Sequence, residues 1–212
     1  MDFTGFRGET ERMALRPYAL DDFDAFHDLH SRDDVARYLP WETRDTEASR
    51  AALQRHQDLR LDKDDDGITL AGFEKESGRL VGEFVLFLRS VEHRGGEVGY
   101  VVHPDFQGRG LATEGARAML QLAFDTLGLH RVIARIEARN TGSAAVLERL
   151  GMRREALLVE NEWFKGEWST EADYAILEGE WGSSPTRSLI SWTTSAPASA
   201  SAAAGVRPPA NP

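Results

Sequence analysis

Hydrophobic and polar residues follow two different periods in the first part of the chain. They alternate over residues 12–16, which predicts a short strand that Pro17 ends. Apolar residues recur at helical spacing over 23–29 and again over 46–59, with a short helical turn expected over 33–38. The pattern therefore predicts one strand followed by two main helices.

Three further strands are predicted in close succession. Residues 68–75 and 79–88 have the pattern of a hairpin, with its turn at Glu76-Ser77-Gly78. A third strand covers 97–103, and Pro104 ends it. Such consecutive, closely spaced strands favour antiparallel pairing.

The second half of the chain alternates helices with strands. A long helix is predicted over 111–127, a strand over 131–138 and a shorter helix over 143–150. Two last strands, at 152–159 and 168–178, are expected to be joined by a polar loop. The whole order predicts a single α/β domain with a mixed, mostly antiparallel central sheet flanked by helices.

The composition of the two ends sets the expected domain bounds. Residues 183–212 are mostly Ser, Thr, Ala, Gly and Pro, which bury too little apolar area to offset the entropy of ordering. We expect a disordered tail there, a flexible segment over 1–9, and one folded domain over 10–182. Leu189, Ile190 and Trp192 are the one cluster of the tail able to dock.

Charge and cysteine content exclude several classes of function. Lys and Arg number 25 against 35 Asp and Glu, a net charge of −10, which disfavours nucleic-acid binding and suits a cationic partner. The chain has no cysteine, so disulfides, thiolate zinc sites and a cysteine nucleophile are excluded. No signal peptide or membrane span is expected, and we expect a cytoplasmic protein without a membrane partner.

The segment that carries chemistry lies between the strand at 97–103 and the helix at 111–127. It contains Gln107-Gly-Arg-Gly110, directly before the helix. Glycines let backbone N–H groups point into one concavity, and a helix start adds unpaired donors and a partial positive charge. The segment predicts a pyrophosphate cradle, to which Arg109 adds a cationic donor unless its side chain is simply solvated.

Three other interpretations of this glycine-rich loop compete with a pyrophosphate cradle. No Gly-Lys-Ser/Thr follows, so a Walker A loop is excluded. A dinucleotide-binding fingerprint is weakly met, because Thr113 stands where the third glycine belongs. A glycine-rich turn without any ligand is the simplest alternative. His103 is a possible base or metal ligand, but the six histidines show no paired ligand spacing, so no metal is expected.

The segment Gln107-Gly-Arg-Gly-Leu-Ala112 resembles the signature by which GCN5-related N-acetyltransferases (GNATs) hold the pyrophosphate of acetyl-CoA. The likeness covers roughly residues 10–182 and is strongest to the branch of ribosomal-protein N-terminal acetyltransferases. Further matching segments are Gly99-Tyr100, Thr113-Glu114, Asn140-Thr-Gly-Ser143, Leu150-Gly151-Met152, Gly166-Glu-Trp168 and Tyr174-Ala-Ile-Leu177. One departure is Thr170, where the branch usually has an Asp, which leaves the hydrogen bonding of the last hairpin in doubt.

The resemblance implies acetyl-CoA as co-substrate and places its contacts mainly in one stretch of the chain. Backbone N–H groups near the end of the 97–103 strand are expected to meet the acetyl oxygen, if that strand separates from its neighbour. The implied contacts are Val101, Val102, His103, Gln107, Gly108, Arg109, Gly110, Leu111, Ala112, Thr113 and Asn140.

Acetyl transfer to a protonated amine needs a base, and the departing thiolate needs a proton. The resemblance points to Glu162 as the base, with an exposed loop carboxylate as the alternative interpretation. Glu97 is the next candidate base, and Glu83 faces either the cleft or the solvent. For the acid, the resemblance points to Ser143, with a helix-capping serine as the alternative, and Tyr174 is a second candidate unless it is core packing.

The leading hypothesis is an acetyl-CoA-dependent N-acetyltransferase that acts on a primary amine by direct attack in a ternary complex. A non-catalytic acyl-CoA-binding module and a nucleotide-binding protein are the alternatives. The acceptor is either a protein N-terminus or a small amine, and a homodimer is left open. Phe23, Phe26 and Trp41 offer a substrate wall, or core packing.

Overall fold

The computed structural model describes residues 3, 5–57, 59–183 and 190–194. Nine strands form one sheet. They are β1 (Phe6–Glu9), β2 (Met13–Arg16), β3 (Gly67–Glu74), β4 (Leu80–Ser90), β5 (Gly95–Val102), β6 (Arg131–Glu137), β7 (Arg153–Phe164), β8 (Glu167–Leu177) and β9 (Ser191–Thr194). The helices are α1 (Phe23–His30), α2 (Asp33–Ala36), α3 (Thr46–Arg55), α4 (Leu111–Gln121), α5 (Thr141–Arg149) and α6 (Glu178–Gly182).

The sheet has the order β7-β8-β6-β5-β4-β3-β2-β1-β9. Only β5 and β6 are parallel, and they pair over just three residues, Gly95–Glu97 with Arg131–Ile133. β5 continues to Val102, where it pairs with β4 on its other side. A gap therefore opens in the middle of the sheet beyond Glu97, and the site described below lies at this gap. The predicted mixed, mostly antiparallel α/β fold is confirmed.

The two faces of the sheet carry separate apolar clusters. On one face, the front face, Phe26, Leu29 and Leu53 of α1 and α3 pack against the sheet. On the back face, α4 and α5 pack against the larger cluster, where the Phe84 ring lies directly against Gly115 of α4. Alternation along each strand decides which residues reach which face. Phe26 is fully buried core, and Phe23 lies partly buried beside it.

The predicted helices and strands lie close to their expected bounds. For α3, a capping residue explains where the helix begins. Asp45 caps α3 by accepting the N–H of Ala48. The polar loop expected over 160–167 is wrong. β7 runs to Phe164 and β8 begins at Glu167, so only Lys165 and Gly166 form the turn, both with positive φ as a two-residue hairpin turn requires.

The two ends of the chain depart from the expected domain bounds. Phe3 and Phe6 are buried and β1 joins the sheet, so residues 6–9 of the expected flexible segment form part of the fold. The expected disordered tail is wrong for residues 190–194. β9 pairs with β1, and the Trp192 ring stacks on Phe6 with 4.7 Å between ring centroids.

Gln121 explains why this short segment has a fixed register. Its side-chain amide donates to the Ile190 carbonyl at 3.1 Å and accepts the Ile190 N–H at 2.9 Å, inside the core. The docking cluster seen in the sequence was therefore the relevant signal for Ile190 and Trp192. Leu189 and the rest of the predicted tail, 184–189 and 195–212, lie outside the described residues.

Candidate active site

A cavity of about 720 Å³ lies at the gap between β5 and β6. It reaches from the loop before α4, past the end of β5 and the start of α5, to α2 and the residues after it. Its lining consists of Asp34, Val35, Tyr38, Leu39, Tyr100, Val101, Val102, Phe106, Gln107, Gly108, Gly110, Leu111, Ala112, Thr113, Asn140, Gly142, Ser143, Ala145, Val146 and Arg149. The cavity thus joins the glycine loop to a separate wall on the front face.

The glycine loop has the backbone shape that the sequence predicted. Gly108 and Gly110 have φ of +71° and +80°, a conformation that side chains with a Cβ rarely adopt. Gly110 is the N-cap of α4, so the first N–H groups of this helix face the cavity without intrahelical partners. The Thr113 hydroxyl is buried and has no hydrogen-bond partner among the described residues. These unpaired donors fit the pyrophosphate of acetyl-CoA.

Two side chains of the loop are used to hold its shape. Gln107 donates from Nε2 to the Val102 carbonyl at 3.1 Å and so ties the loop to the end of β5. The Arg109 guanidinium is ion-paired with Glu74 and lies over the Phe106 ring. It does not line the cavity, so the expectation of a cationic donor in the cradle is not met by this geometry.

The end of β5 separates from β6, as the chemistry requires, but only one of the two expected donors is available. The His103 N–H is already bonded to the Val81 carbonyl of β4 at 2.8 Å. Since N–H directions alternate along a strand, the Val102 N–H points to the opposite side, into the gap. The His103 ring is also occupied, because Nε2 lies 3.0 Å from an Asp28 carboxylate oxygen.

The start of α5 presents Ser143 to the cavity. Asn140, not Ser143, is the N-cap, since Asn140 Oδ1 accepts the Ser143 N–H at 3.0 Å. The alternative interpretation of Ser143 as the helix cap is therefore wrong. The Ser143 hydroxyl does not cap α5 and is available for another hydrogen bond. Tyr100 donates its hydroxyl to the Ser143 carbonyl at 3.1 Å, which joins α5 to β5. Burial raises the pKa of the Tyr100 phenol, so this hydroxyl stays protonated.

Beyond the gap, the front face of β5, β6, β8 and β7 carries four carboxylates, which we call the acidic face: Glu97, Glu162, Glu171 and Asp173. Glu97 is held by Arg89 and Arg135, each at 2.8 Å. The strand register places Glu162 beside Ser169, on the same face as Glu171 and Asp173. Burial and the neighbouring charge of Asp173 raise the pKa of Glu171. The sequence pattern did not identify Glu171 and Asp173 as site residues, because strand pairing alone brings them onto one face with Glu97 and Glu162.

Glu162 owes its place to an irregularity in β7. Three residues, 159–161, bulge out opposite Thr170, between the pairs Leu158–Glu171 and Glu162–Ser169. The Thr170 hydroxyl accepts the Glu160 N–H at 3.1 Å within this bulge. Thr170 therefore supplies the local hydrogen bond that the missing Asp left in doubt. Glu162 is exposed on a strand, not in a loop.

The tip of the β7–β8 hairpin is bound to the wall that carries Tyr38 and Leu39. Lys165 donates from Nζ to the carbonyls of Ala36 and Trp41, both at 2.8 Å. The contact joins the last hairpin to the segment 36–41, whose Tyr38 and Leu39 line the cavity. Tyr174, the second candidate acid, is buried in the back-face core and does not line the cavity.

A buried hydrogen-bonded group of His30, Glu83 and Arg44 lies behind the wall that carries Tyr38 and Leu39. His30 Nε2 lies 3.1 Å from Glu83 Oε2, and Arg44 donates to His30 Nδ1 at 2.8 Å. Arginine is only a donor, so Nδ1 accepts and the proton sits on Nε2, which donates to Glu83. Burial opposes ionisation of Glu83, but the hydrogen bond to His30 and the neighbouring His30, His56 and Arg44 together keep the pKa of Glu83 below its ordinary value. Glu83 faces neither cleft nor solvent.

The sequence and fold comparisons agree with this site. The family model described as acetyltransferase (GNAT) domain matches residues 12–153. The chain is 31% identical over 172 residues to the uncharacterised N-acetyltransferase YnaD of Bacillus subtilis, covering 81% of this chain and 97% of that one. A crystal structure of a GNAT-family acetyltransferase from Bacillus anthracis is 31% identical, with a TM-score of 0.74 over 82% of this chain and 99% of that chain.

Two relatives carry names that state an acceptor. A putative ribosomal N-acetyltransferase, YdaF of Bacillus subtilis, is 31% identical over 104 residues, 49% of this chain and 57% of its own length. The spermidine N(1)-acetyltransferase of Escherichia coli K12 is 25% identical over 168 residues, 79% of this chain and 87% of its own length.

The chain belongs to the GNAT family and is an N-acetyltransferase. The resemblance to that family and to its ribosomal branch is confirmed, and the function it supports is acetyl transfer to an amine with acetyl-CoA as the family's donor. Within the described residues, no helix is long and apolar enough to cross a membrane. No group of three or more metal-ligating side chains is found in that part of the chain either.

Proposed function

We propose that this protein transfers the acetyl group of acetyl-CoA directly to a primary amine while both substrates are bound. The observation that carries the proposal is the cavity itself, which has a lining suited to a phosphorylated thioester at one end and an independent wall at the other. The chain has no cysteine, so an acyl-cysteine intermediate is impossible. The amine nitrogen bonds to the acetyl carbon as the carbon–sulfur bond breaks.

The donor end of the cavity is formed mostly by backbone. The N–H groups around Gly108 and Gly110, with the start of α4, would bind the pyrophosphate. The Val102 N–H, directed into the gap, would bind the pantetheine arm or the acetyl oxygen, where negative charge develops. Leu111, Ala112 and Thr113 lie at the same end of the cavity, and Asn140 and Ser143 lie beside the arm.

The proton transfers fall to two groups on opposite sides of the gap. Glu162, on the acidic face, takes the proton of the acceptor amine, either directly or through water. Ser143, whose hydroxyl has no capping task, supplies a proton or hydrogen bond to the departing thiolate. Glu97 is the poorer base, because both of its oxygens already accept bonds from arginines. Glu171 is the alternative base to Glu162, since burial and Asp173 raise its pKa and so favour proton binding.

The acceptor is a cationic amine. None of the four carboxylates of the acidic face lines the cavity itself; they lie on the front face of the sheet beyond the gap, and Asp34 is the acidic residue of the lining. We propose that the acceptor extends from the cavity across this face. A polyamine or a basic protein N-terminus matches this charge, and relatives with names of both kinds are known. The acidic face favours an acceptor with more than one positive charge over a singly charged amine.

The test is thiol release from acetyl-CoA with a matched acceptor panel: spermidine, a monoamine with one positive charge, an arginine-rich peptide without lysine that has a free N-terminus, and the same peptide with a blocked N-terminus. We expect turnover only with free amines, and a higher kcat/KM when the acceptor carries further positive charge. Binding of acetyl-CoA without turnover on any amine would instead support the acyl-CoA-binding module. Equal kcat/KM for singly and multiply charged amines would reject the cationic acceptor.

A further inference from the structure

Arg12, in the turn between β1 and β2, is bound to the glycine loop from outside the cavity. Its Nη1 donates to the Arg109 carbonyl at 2.8 Å, between the two loop glycines that have positive φ. A Cβ placed on Gly110 would lie 3.5 Å from Nη2 of the same guanidinium. Gly110 lines the cavity and Arg12 does not, so the loop backbone separates this guanidinium from the space that the donor would fill.

This contact fixes the direction of one backbone N–H group. The Arg109 carbonyl and the Gly110 N–H belong to the same trans peptide plane, where they point in opposite directions. Because the guanidinium holds the carbonyl on the outer side, the N–H is turned towards the cavity. Without the guanidinium, this plane would rotate more freely about the backbone of Gly110, since glycine has no Cβ to restrict it.

Glu114, in the first turn of α4, holds Arg12 in this position. Glu114 Oε2 accepts Arg12 Nε at 2.7 Å and Nη2 at 2.6 Å, and Oε1 accepts the Arg12 backbone N–H at 2.8 Å and the Thr10 hydroxyl at 2.6 Å. These four donors fill the acceptor sites of the carboxylate. Partial burial raises the pKa of Glu114, but the hydrogen bonds outweigh burial and keep this pKa below its ordinary value. Glu114 is therefore charged at neutral pH and fully used in holding the β1–β2 turn.

We infer that Arg12 is a positioning residue of the donor site, which directs the Gly110 N–H at the pyrophosphate. A carbonyl that accepts a charge-assisted hydrogen bond also polarises its own peptide, so the N–H of that plane becomes a stronger donor. The inference rests on the proposed binding of the pyrophosphate at this loop. The Arg109 guanidinium does not fill this role, because it is bound to Glu74.

The first test compares two arginines that each contact one carbonyl and one carboxylate, using calorimetric titration with CoA. Arg94 donates to the Gly128 carbonyl at 3.2 Å, and its Nη2 lies 3.8 Å from a Glu178 oxygen, outside the cavity lining. Arg12→Ala should raise the Kd of CoA about tenfold, whereas Arg94→Ala should leave it unchanged.

Two results of this titration overturn the inference: wild-type affinity for CoA in Arg12→Ala, or equal weakening in Arg12→Ala and Arg94→Ala. A wild-type protein that does not bind CoA would instead reject the proposed pyrophosphate site, on which the inference rests. The two failures are therefore distinguished by the wild-type titration alone.

The second test uses the sign of the effect at Glu114. If charge alone mattered, Glu114→Gln would tighten CoA binding, because it removes a negative charge near a polyanionic ligand. Positioning predicts the opposite, since the variant releases the Arg12 guanidinium. The Kd of CoA should then rise about three- to tenfold. Unchanged or tighter binding of CoA would contradict the inference.

A spectroscopic measurement separates positioning from a general loss of stability. In the wild-type protein, saturating CoA should move the amide proton resonance of Gly110 downfield, because a charged phosphate oxygen accepts this N–H. In Arg12→Ala saturated with CoA, the Gly110 shift should be smaller, while the resonance of Gly128, in the turn before β6, stays at its wild-type position. A Gly110 shift as large as that of the wild type would show that the N–H is directed without Arg12, and would reject the inference.

Discussion

The two ends of the cavity are built in different ways. The donor end comes from one continuous stretch, residues 101–113, joined by Asn140 and Ser143, and it works mainly through backbone groups. The proposed acceptor end combines the α2 wall of the cavity with the acidic face of β5, β7 and β8, and it would work through side chains. Backbone groups can bind a phosphate whatever side chains surround them, whereas the acceptor end changes with each side chain. The donor is therefore readable from a motif and the acceptor is not.

The acceptor end is tested most strongly at Glu162. Glu162→Gln should lower kcat by about 10²–10⁴-fold at neutral pH, and the loss should shrink as the pH approaches the pKa of the amine, which then deprotonates by itself. The pH profile of kcat measures this. Glu160→Gln, two residues away in the bulge, is the matched control and should keep full activity.

One result of that experiment would move the base within the acidic face. If Glu162→Gln is fully active across the pH range while Glu171→Gln is not, Glu171 is the base. If both variants are active, water takes the proton without help from these carboxylates.

The donor end is tested at Gly110. Gly110→Val should weaken CoA binding by about 10- to 100-fold, because a β-branched residue at φ near +80° adds strain and displaces the N–H groups at the start of α4. Calorimetric titration with CoA checks this. Gly78→Val is the control, since Gly78 also has a positive φ, of +69°, but lies in the β3–β4 turn. Equal CoA affinity in both variants would contradict the pyrophosphate assignment.

Ser143 lies where the two ends meet. Ser143→Ala should lower kcat by about tenfold with little change in acetyl-CoA affinity, because the hydroxyl acts only as negative charge appears on sulfur. Asn140→Ala separates this role from helix capping, since losing the cap should cost about 1 kcal/mol of stability. A Ser143→Ala variant that lost only thermal stability would contradict a role of Ser143 in the chemical step.

At Glu83, which lies behind the wall that carries Tyr38 and Leu39, we expect the smallest effect on catalysis. The effect on the stability of the fold should be larger. His30 lowers the pKa of Glu83 against the effect of burial, so this carboxylate stabilises the fold above its unfolded pKa of about 4 and ceases to do so as pH falls through the folded value. Burial lowers the pKa of His56, so stability also decreases as pH falls below about 6.5. Acid should therefore loosen the acceptor wall.

Glu83→Gln tests this directly. At pH 7 it should cost about 1–3 kcal/mol of unfolding free energy, and the difference from wild type should narrow below pH 4. Urea unfolding at several pH values measures both. Glu76→Gln, exposed in the turn of the same β3–β4 hairpin, should match the wild type throughout. A constant difference across pH would mean that Glu83 acts only through packing.

The sequence by itself determined the order of most elements, the fold class and the glycine loop, and its resemblance to the GNAT family implied the donor. These are local properties: alternation and helical spacing record which face is buried, and a positive φ at Gly108 and Gly110 needs glycine. The family resemblance also pointed to Ser143 as a candidate acid. It did not show that Asn140 caps α5, which is the reason that the Ser143 hydroxyl has no capping role.

Tertiary structure alone decided the features that depend on strands pairing across long separations. It placed Glu171 near Glu162, tied Arg109 to Glu74, and set Lys165 against carbonyls 129 and 124 residues earlier in the chain. It also added β9, through the contacts of Gln121 and Phe6 with a segment whose composition favours disorder. Such contacts have no periodic signature, because their energy comes from partners that are distant in sequence.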